Sequence, residues 1–358
     1  MKKRKIILVA CFLIIWSLLM SSCTLIYGRN NQKIINKEEF TIFDNQEEKK
    51  MNIENYYLSI TGSFYNEKNA LSEVYAVFDF DNNLTTKLLS IEATSSYPCA
   101  VCDLKNNMVY YAGAKETQCE GRIIMLDNVY AYDINTEETT QLTYYGYYMN
   151  RMIPVDDKLY FSGGKRSNTS VEFGYIDLTD NQVFYPDCYG EIGSINVRDI
   201  EYSYGEKAFY ISWYSLVEQS RNNMEYSQHH EAERKIAERH LDKYDILSCS
   251  ICPVESFCDF ELESFSVSQN GCKILMYDPS NNSFRIHENN NTYSTDFLGS
   301  ALNALSPDGE SLYYITISTE QSNGAPMTDL KKYDFSSKTI EVIAHFDFYV
   351  NNMVLLQK

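Results

Sequence analysis

Two cysteine pairs, CAVC (Cys99 and Cys102) and CSIC (Cys249 and Cys252), have the spacing of zinc or redox sites. The first pair falls in a predicted strand. Residues three apart there face opposite sides about 10 Å apart, at about 3.3 Å per residue, so the pair shares neither a disulfide nor a metal. The second pair straddles a predicted turn, which allows a bond between its members or to Cys258; Cys119, Cys188 and Cys272 complete the thiols whose connectivity spacing leaves open. His229, His230, Glu233, Arg234 and His240 gather on one segment and form a candidate binding surface. No HExxH occurs, and residues 230–233 do not supply two histidines four apart, so a solvated polar helix is expected there and no metal. Gly163-Gly164-Lys165 lacks the upstream glycine of a phosphate loop and reads as a hairpin turn. No GxSxG is present, so neither a catalytic residue nor a cofactor is assigned.

These residues sit in a chain that repeats itself. Thirty Tyr and eighteen Phe with few long helical patterns point to strands. An apolar residue, Asp, a polar turn and an alternating run recur in AYDINTEETTQLT (131–143), GYIDLTDNQVFYP (174–186) and KYDFSSKTIEVIA (332–344). VFDFDNNLTTKLL (77–89) and KYDILSCSICPVE (243–255) share the frame. Its physical content is an Asp that accepts backbone hydrogen bonds at a turn, followed by a returning strand. Upstream of each lies an aromatic strand: IENYYLSITG (53–62), NMVYYAGA (107–114), DKLYFSGG (157–164), EKAFYISWY (206–214) and ESLYYITIS (310–318). A shorter strand and a turn precede it. Four antiparallel strands repeated radially make a β-propeller blade.

The pairing of SPDGESLYYI (306–315) with LKKYDFSSKTIEVI (330–343) resembles the repeat of the TolB-like, WD40-like family of bacterial envelope propellers. The resemblance covers 39–358, with degenerate turns at 268–271, 154–157 and 104–107. The expected fold is all-β, with six four-stranded antiparallel blades, or seven, and one helical insertion at about 216–243. The Asp markers at 79, 133, 177, 245, 278 and 334 suggest six, although Asp278 follows its turn with no room for a middle loop. The tail HFDFYVNNMVLLQK (345–358) is expected to close the ring by pairing near 39–43. The segment 216–244 replaces one blade's middle loop. Its later half reads as a helix carrying Glu231 and Lys235 at i,i+4, with Ile236, Ala237 and Leu241 as a narrow apolar stripe.

The chain opens with four basic residues, an apolar run over 6–20, then Ser21, Ser22 and Cys23. That order is a secretory signal and resembles a bacterial lipoprotein signal, which implies cleavage before Cys23 and its acylation. The apolar run is 15 residues long, short of the roughly 20 needed to span a bilayer. The organisation expected is a signal peptide at 1–22, a tether at 23–38 and the propeller at 39–358. Residues 1–22 hold four Lys/Arg and no Asp/Glu, so cleavage takes the formal charge from −18 to −22. An acidic chain repels nucleic acid and anionic lipid surfaces.

The sequence thus leads to a lipid-anchored, extracytoplasmic propeller, held to the membrane through Cys23, that acts as a non-catalytic binding or assembly module for an envelope protein or glycan. The alternative is a hydrolase or lyase acting on envelope or extracellular polysaccharide, with carboxylates from several blades converging on the channel mouth. An enzyme requires a perturbed carboxyl among polar groups at the mouth; a binding module requires an exposed apolar or aromatic patch. The tyrosine-rich YYGYYMN (144–150) serves ligand stacking on one reading and core packing on the other.

Overall fold

The computed structural model describes residues 53–68, 70–81, 84–94, 98–119, 122–144, 146–165, 170–186, 193–228, 235–280, 282–295, 297, 300–322 and 325–358. Cys23, the segments 1–22 and 23–38, and the proposed pairing strand 39–43 lie outside them. After a short 3-10 turn, Ile53–Asn55, the chain forms β1 (Tyr56–Tyr65), β2 (Leu71–Asp79) and β3 (Leu84–Glu92). Blade 2 is β4 (Ala100–Asp103), β5 (Met108–Cys119), β6 (Arg122–Asp133) and β7 (Thr139–Gln141). Blade 3 is β8 (Tyr147–Val155), β9 (Lys158–Lys165), β10 (Glu172–Asp177) and β11 (Val183–Phe184). Blade 4 is β12 (Ile195–Ser203), β13 (Ala208–Ser215), β14 (Arg239–Asp245) and β15 (Ser250–Phe257), with helix α1 (Leu216–Gln228) between its second and third strands. Blade 5 is β16 (Ser264–Val267), β17 (Lys273–Asp278), β18 (Ser283–Glu288) and β19 (Asn291–Thr295). Blade 6 is β20 (Asn303–Leu305), β21 (Ser311–Ser322), β22 (Ala325–Asp334) and β23 (Thr339–Phe346). The last strand, β24 (Tyr349–Gln357), pairs with β1 and completes blade 1 as its inner strand. The fold is a six-bladed β-propeller, each inner strand touching the next around the ring.

Closure therefore uses the tail, as expected, and among the described residues its partner is β1. In blade 1 the inner place beside β1 is filled by β24. Each pairing buries a sheet edge that would otherwise be open.

Two repeated turns explain why the blades form. At the end of the third strands, Asp133 accepts hydrogen bonds from the amides of Asn135 and Thr136 at 2.7 and 3.1 Å, and Asp245 from those of Leu247 and Ser248 at 2.9 and 2.8 Å. Asp177 and Asp334 do the same with Thr179 and Ser337. The residue four positions on turns left-handed: Glu137, Asn181, Cys249 and Lys338 have φ between 51° and 62°. Between first and second strands, Ser306 Oγ donates to Asp308 and accepts from the Ser311 amide at 2.6 and 2.9 Å, while Gly309 takes φ 75°. Ser268 repeats this with Asn270 and Lys273. Asp278 has the same local chemistry, accepting from the Ser280 amide at 2.9 Å, but joins second to third strand. It thus lies on the opposite face of the ring from the other five markers. On the face of those five markers, blade 5 joins its third and fourth strands with Asn289 and Asn290, both left-handed.

The helix occupies the first half of the 216–244 excursion, whereas the later half was expected to be helical. Ser215 caps it by accepting from the Glu218 amide at 3.2 Å. Ala237 is buried beyond the helix, and Leu241 belongs to β14, where cross-strand pairing overrides the helical pattern. The polar side of α1 faces the protein: Asn222 donates to the Ile236 carbonyl and Gln219 accepts from the Ala237 amide, both at 3.2 Å. Val217 and Met224 are left exposed. No helix among the described residues is long and apolar enough to cross a membrane.

The cysteines Cys99 and Cys102 are buried free thiols, which burial pushes up to about 12. Cys249, Cys252, Cys258 and Cys272 are exposed and form no disulfide. Of the pairings that spacing left open, Cys249–Cys252 does not form, because the two flank opposite faces of blade 4. Cys249 lies beside Tyr160 of blade 3, whereas Cys252 follows the row Tyr210–Lys243 on the other side. Cys258 is too far along the strand from Cys252, at about 3.3 Å per residue. Alkylation of the native protein is expected to label these four thiols and spare Cys99 and Cys102 until unfolding; peptide mapping checks this, and early labelling of Cys102 would contradict it.

Candidate functional site

Three inner strands break their alternation at one place each. Pairing steps over Asn150 in β8, Arg198 in β12 and Asn351 in β24. Each bulge is followed by a buried polar residue: Arg151, Asp199 and Asn352. A bulge re-aims the next side chain, and the first two of these meet beside the backbone that follows the third. Arg151 Nη1 lies 3.5 Å from Asp199, its Nη2 pairs with Glu201, and the same Nη2 donates to the Met353 carbonyl at 3.2 Å. Blade 1 is two positions from blade 3 and three from blade 4. A guanidinium touching all three lies across the ring axis, so Arg151 plugs the channel.

Buried carboxyls at and near this plug are perturbed. Burial raises Glu201 to about 8, against the lowering effect of Arg151 and with the help of Asp199. Asp199 is raised for the same reason, although it also accepts from the amides of Ile200 and Phe265 at 2.9 and 3.4 Å. Glu73, bonded to the Tyr75 hydroxyl at 2.6 Å, is the third carboxyl that burial raises. All three are sealed from solvent.

With the axis closed, the channel mouth on the face of the first-to-second-strand turns becomes a blind cavity of about 280 Å³. On one side it is roofed by linked turns: the Gly205 amide donates to the Gln269 carbonyl at 2.9 Å, and the Gln269 amide to the Pro307 carbonyl at 2.8 Å. The open side belongs to blades 1 to 4. Its floor holds Tyr57, Tyr202 and Tyr204. The Tyr57 hydroxyl is engaged, donating to the Cys102 carbonyl at 2.8 Å and accepting from the Leu104 amide at 3.0 Å. The rim carries Asp103, Lys105, Asp156, Lys207, Leu247 and Lys358. Leu247 is 79% exposed, an apolar side chain held out by the Asp245 turn.

Of the residues expected to bind, His229, His230, Glu233 and Arg234 lie outside the described residues. His240 stands in β14 rather than on a helix, stacked on Trp213 with ring centroids 4.3 Å apart. Among the described residues no three of His, Cys, Asp and Glu gather as metal ligands. In YYGYYMN, Tyr148 donates to the Ser170 carbonyl at 2.5 Å, a packing role, while Tyr144 is exposed. The mouth went unread because its residues are separated by up to three hundred positions, and the bulges because their apolar–polar–polar–apolar signature was visible but uncounted.

No family model and no curated protein matches the chain. Solved structures do. TolB from Acinetobacter baumannii is 16% identical, with a TM-score of 0.50 over 83% of this chain and 67% of that one. A nidogen/laminin complex gives 8% identity and a TM-score of 0.51 over 84% of this chain and 98% of that one. At such identities the likeness shows the fold alone and nothing of the activity.

Proposed function

We propose that this chain is a lipid-anchored, extracytoplasmic propeller that binds an envelope protein or glycan without transforming it, chiefly at the blind mouth. The observation that carries the reading is the mouth itself: an exposed Leu247 and a tyrosine floor in front of an axis closed by Arg151. An exposed apolar residue at the edge of a concave mouth is a mark of recognition. Asp199 and Glu201, raised carboxyls of the kind suited to acid–base chemistry, are buried and paired with Arg151, which favours binding over catalysis. The excursion 216–244, with Val217 and Met224 exposed, offers a second contact surface on the opposite face.

The anchor rests on the basic, apolar and small-residue order ending at Cys23. Two acyl chains suffice for stable attachment. Leu247→Asp is expected to lose a partner that co-purifies with the anchored protein, with its melting temperature unchanged. Cys23→Ala is expected to leave the membrane fraction and take up no acyl label. Retention of the partner by Leu247→Asp, together with turnover of a glycan, would favour the hydrolase or lyase reading instead.

A further inference from the structure

Blades 4 and 5 meet around one carboxylate on the face of the first-to-second-strand turns. Glu206, between β12 and β13, accepts from the Tyr210 hydroxyl at 2.5 Å and from the Lys243 ammonium at 2.7 Å. Gly271 of blade 5 lies so close that a methyl group there would overlap the same carboxylate. Two exposed thiols flank this cluster. Cys252 continues the cross-strand row Tyr210–Lys243, and side chains of one row share a face. It therefore looks towards blade 5, against which Tyr210 packs with Ile274 and Met276. Cys272 follows Gly271 and precedes Ile274 by two positions, the spacing that keeps side chains on one side of a strand, so it looks back towards blade 4. Both sulfurs lie close enough to the Tyr210 hydroxyl for their charge, as thiolates, to act on it. Neither forms a disulfide, and each donates a long bond to a neighbouring carbonyl: Cys252 to Pro253 at 3.8 Å and Cys272 to Asn270 at 3.6 Å. A thiol is a weak donor, and such contacts give way to a change of rotamer.

We infer that Cys252 and Cys272 are the two ends of a redox-formed staple across the seam of blades 4 and 5. A disulfide oxidant such as oxidised glutathione makes it. One protein thiolate attacks the oxidant's sulfur, giving a mixed disulfide and releasing one glutathione; the other then displaces the second glutathione. The two protein thiols lose two electrons and two protons, and one oxidised glutathione becomes two reduced ones. The other exposed thiols are badly placed to compete: Cys249 lies beside Tyr160 on the blade 3 side, and Cys258 is about 20 Å along the strand from Cys252, at about 3.3 Å per residue. The staple holds the blade 4 turn whose next residue, Lys207, lines the mouth. The pairing is a property of the chain and stands whether or not the anchor reading holds; an exported location supplies the oxidising surroundings.

The test is peptide mapping of the full chain in detergent, equilibrated with reduced or oxidised glutathione and then trapped with iodoacetamide. In reduced glutathione all four exposed thiols take the label. In oxidised glutathione, labelling of Cys252 and Cys272 is expected to fall about tenfold. A linked peptide joins them and disappears on reduction, while Cys249 and Cys258 carry label or a single glutathione. Cys252→Ser is expected to leave Cys272 with glutathione and no linked peptide, and to abolish the rise in melting temperature that oxidation gives the wild type. Cys258→Ser keeps both. A linked peptide joining Cys252 or Cys272 to any other cysteine, single glutathiones on both, or labelling unchanged by oxidation overturns the inference.

Discussion

Replacing Arg151 with methionine is expected to cost about 3–5 kcal/mol of unfolding free energy, because it leaves the Asp199 and Glu201 carboxyls buried without their cation. Arg151 also joins blades 3, 4 and 1, so the loss falls on ring closure as well as on the pair. Urea denaturation followed by tryptophan fluorescence reads the change. The expectation is specific to the cluster: adding Asp199→Asn and Glu201→Gln to Arg151→Met removes the stranded charges and recovers most of the loss. A single variant as stable as the wild type would show that the guanidinium does not hold the axis. A triple variant as weak as the single one would place the cost in packing instead.

The same cluster sets an unusual pH dependence. Glu201 is raised to about 8 and Asp199 is raised with it, so the folded chain keeps a proton that the unfolded chain releases near the ordinary carboxyl range. The stability this proton contributes is complete below about pH 4.5 and drains away as pH rises towards about 8. At 1.36 kcal/mol per unit, the full interval is on the order of 3–5 kcal/mol. Asp177, Asp245 and Asp334 oppose it. Their turn hydrogen bonds hold them low, Asp334 at about 2, and their contribution is lost in acid. The wild type is therefore expected to melt highest in mildly acidic buffer and lower at pH 8. Glu201→Gln flattens the fall between pH 5 and 8. A melting temperature that rises across that interval contradicts a buried, proton-holding pair.

Much of this architecture was legible because it is written in local chemistry. An Asp that accepts two amides of its own turn, with a left-handed residue four positions on, can be read from five or six letters; so can SPDG. Repetition of those turns gave the blade and, with Asp278 discounted, five of the six addresses. Ring closure was half legible. A strand in the tail was evident, but its partner depended on a long-range fact, that the aromatic strand YYLSITG takes its inner neighbour from the tail. The helix was assigned to the wrong half because an i,i+4 charge pair outweighed the Ser215 cap, and because Leu241 alternates in a strand whose register is set by β13. Asn150-Arg151, Arg198-Asp199 and Asn351-Asn352 were legible in principle. Each interrupts an alternating inner strand with two polar residues, and three such interruptions were a signal for bulges aimed at the axis. The mouth was not legible, since four blades contribute to it and only closure brings Tyr57, Lys207 and Lys358 together.

The central claim is that partners are met at the blind mouth. A photoreactive residue placed singly at Leu247 on the mouth, Met224 on α1 or Ile340 on the outer edge of blade 6, all exposed positions, compares three faces on intact cells. A discrete crosslinked species of highest yield is expected from position 247, a lesser one from 224 and background from 340. Equal yields at all three positions, or crosslinking from 340 with none from 247, would contradict it.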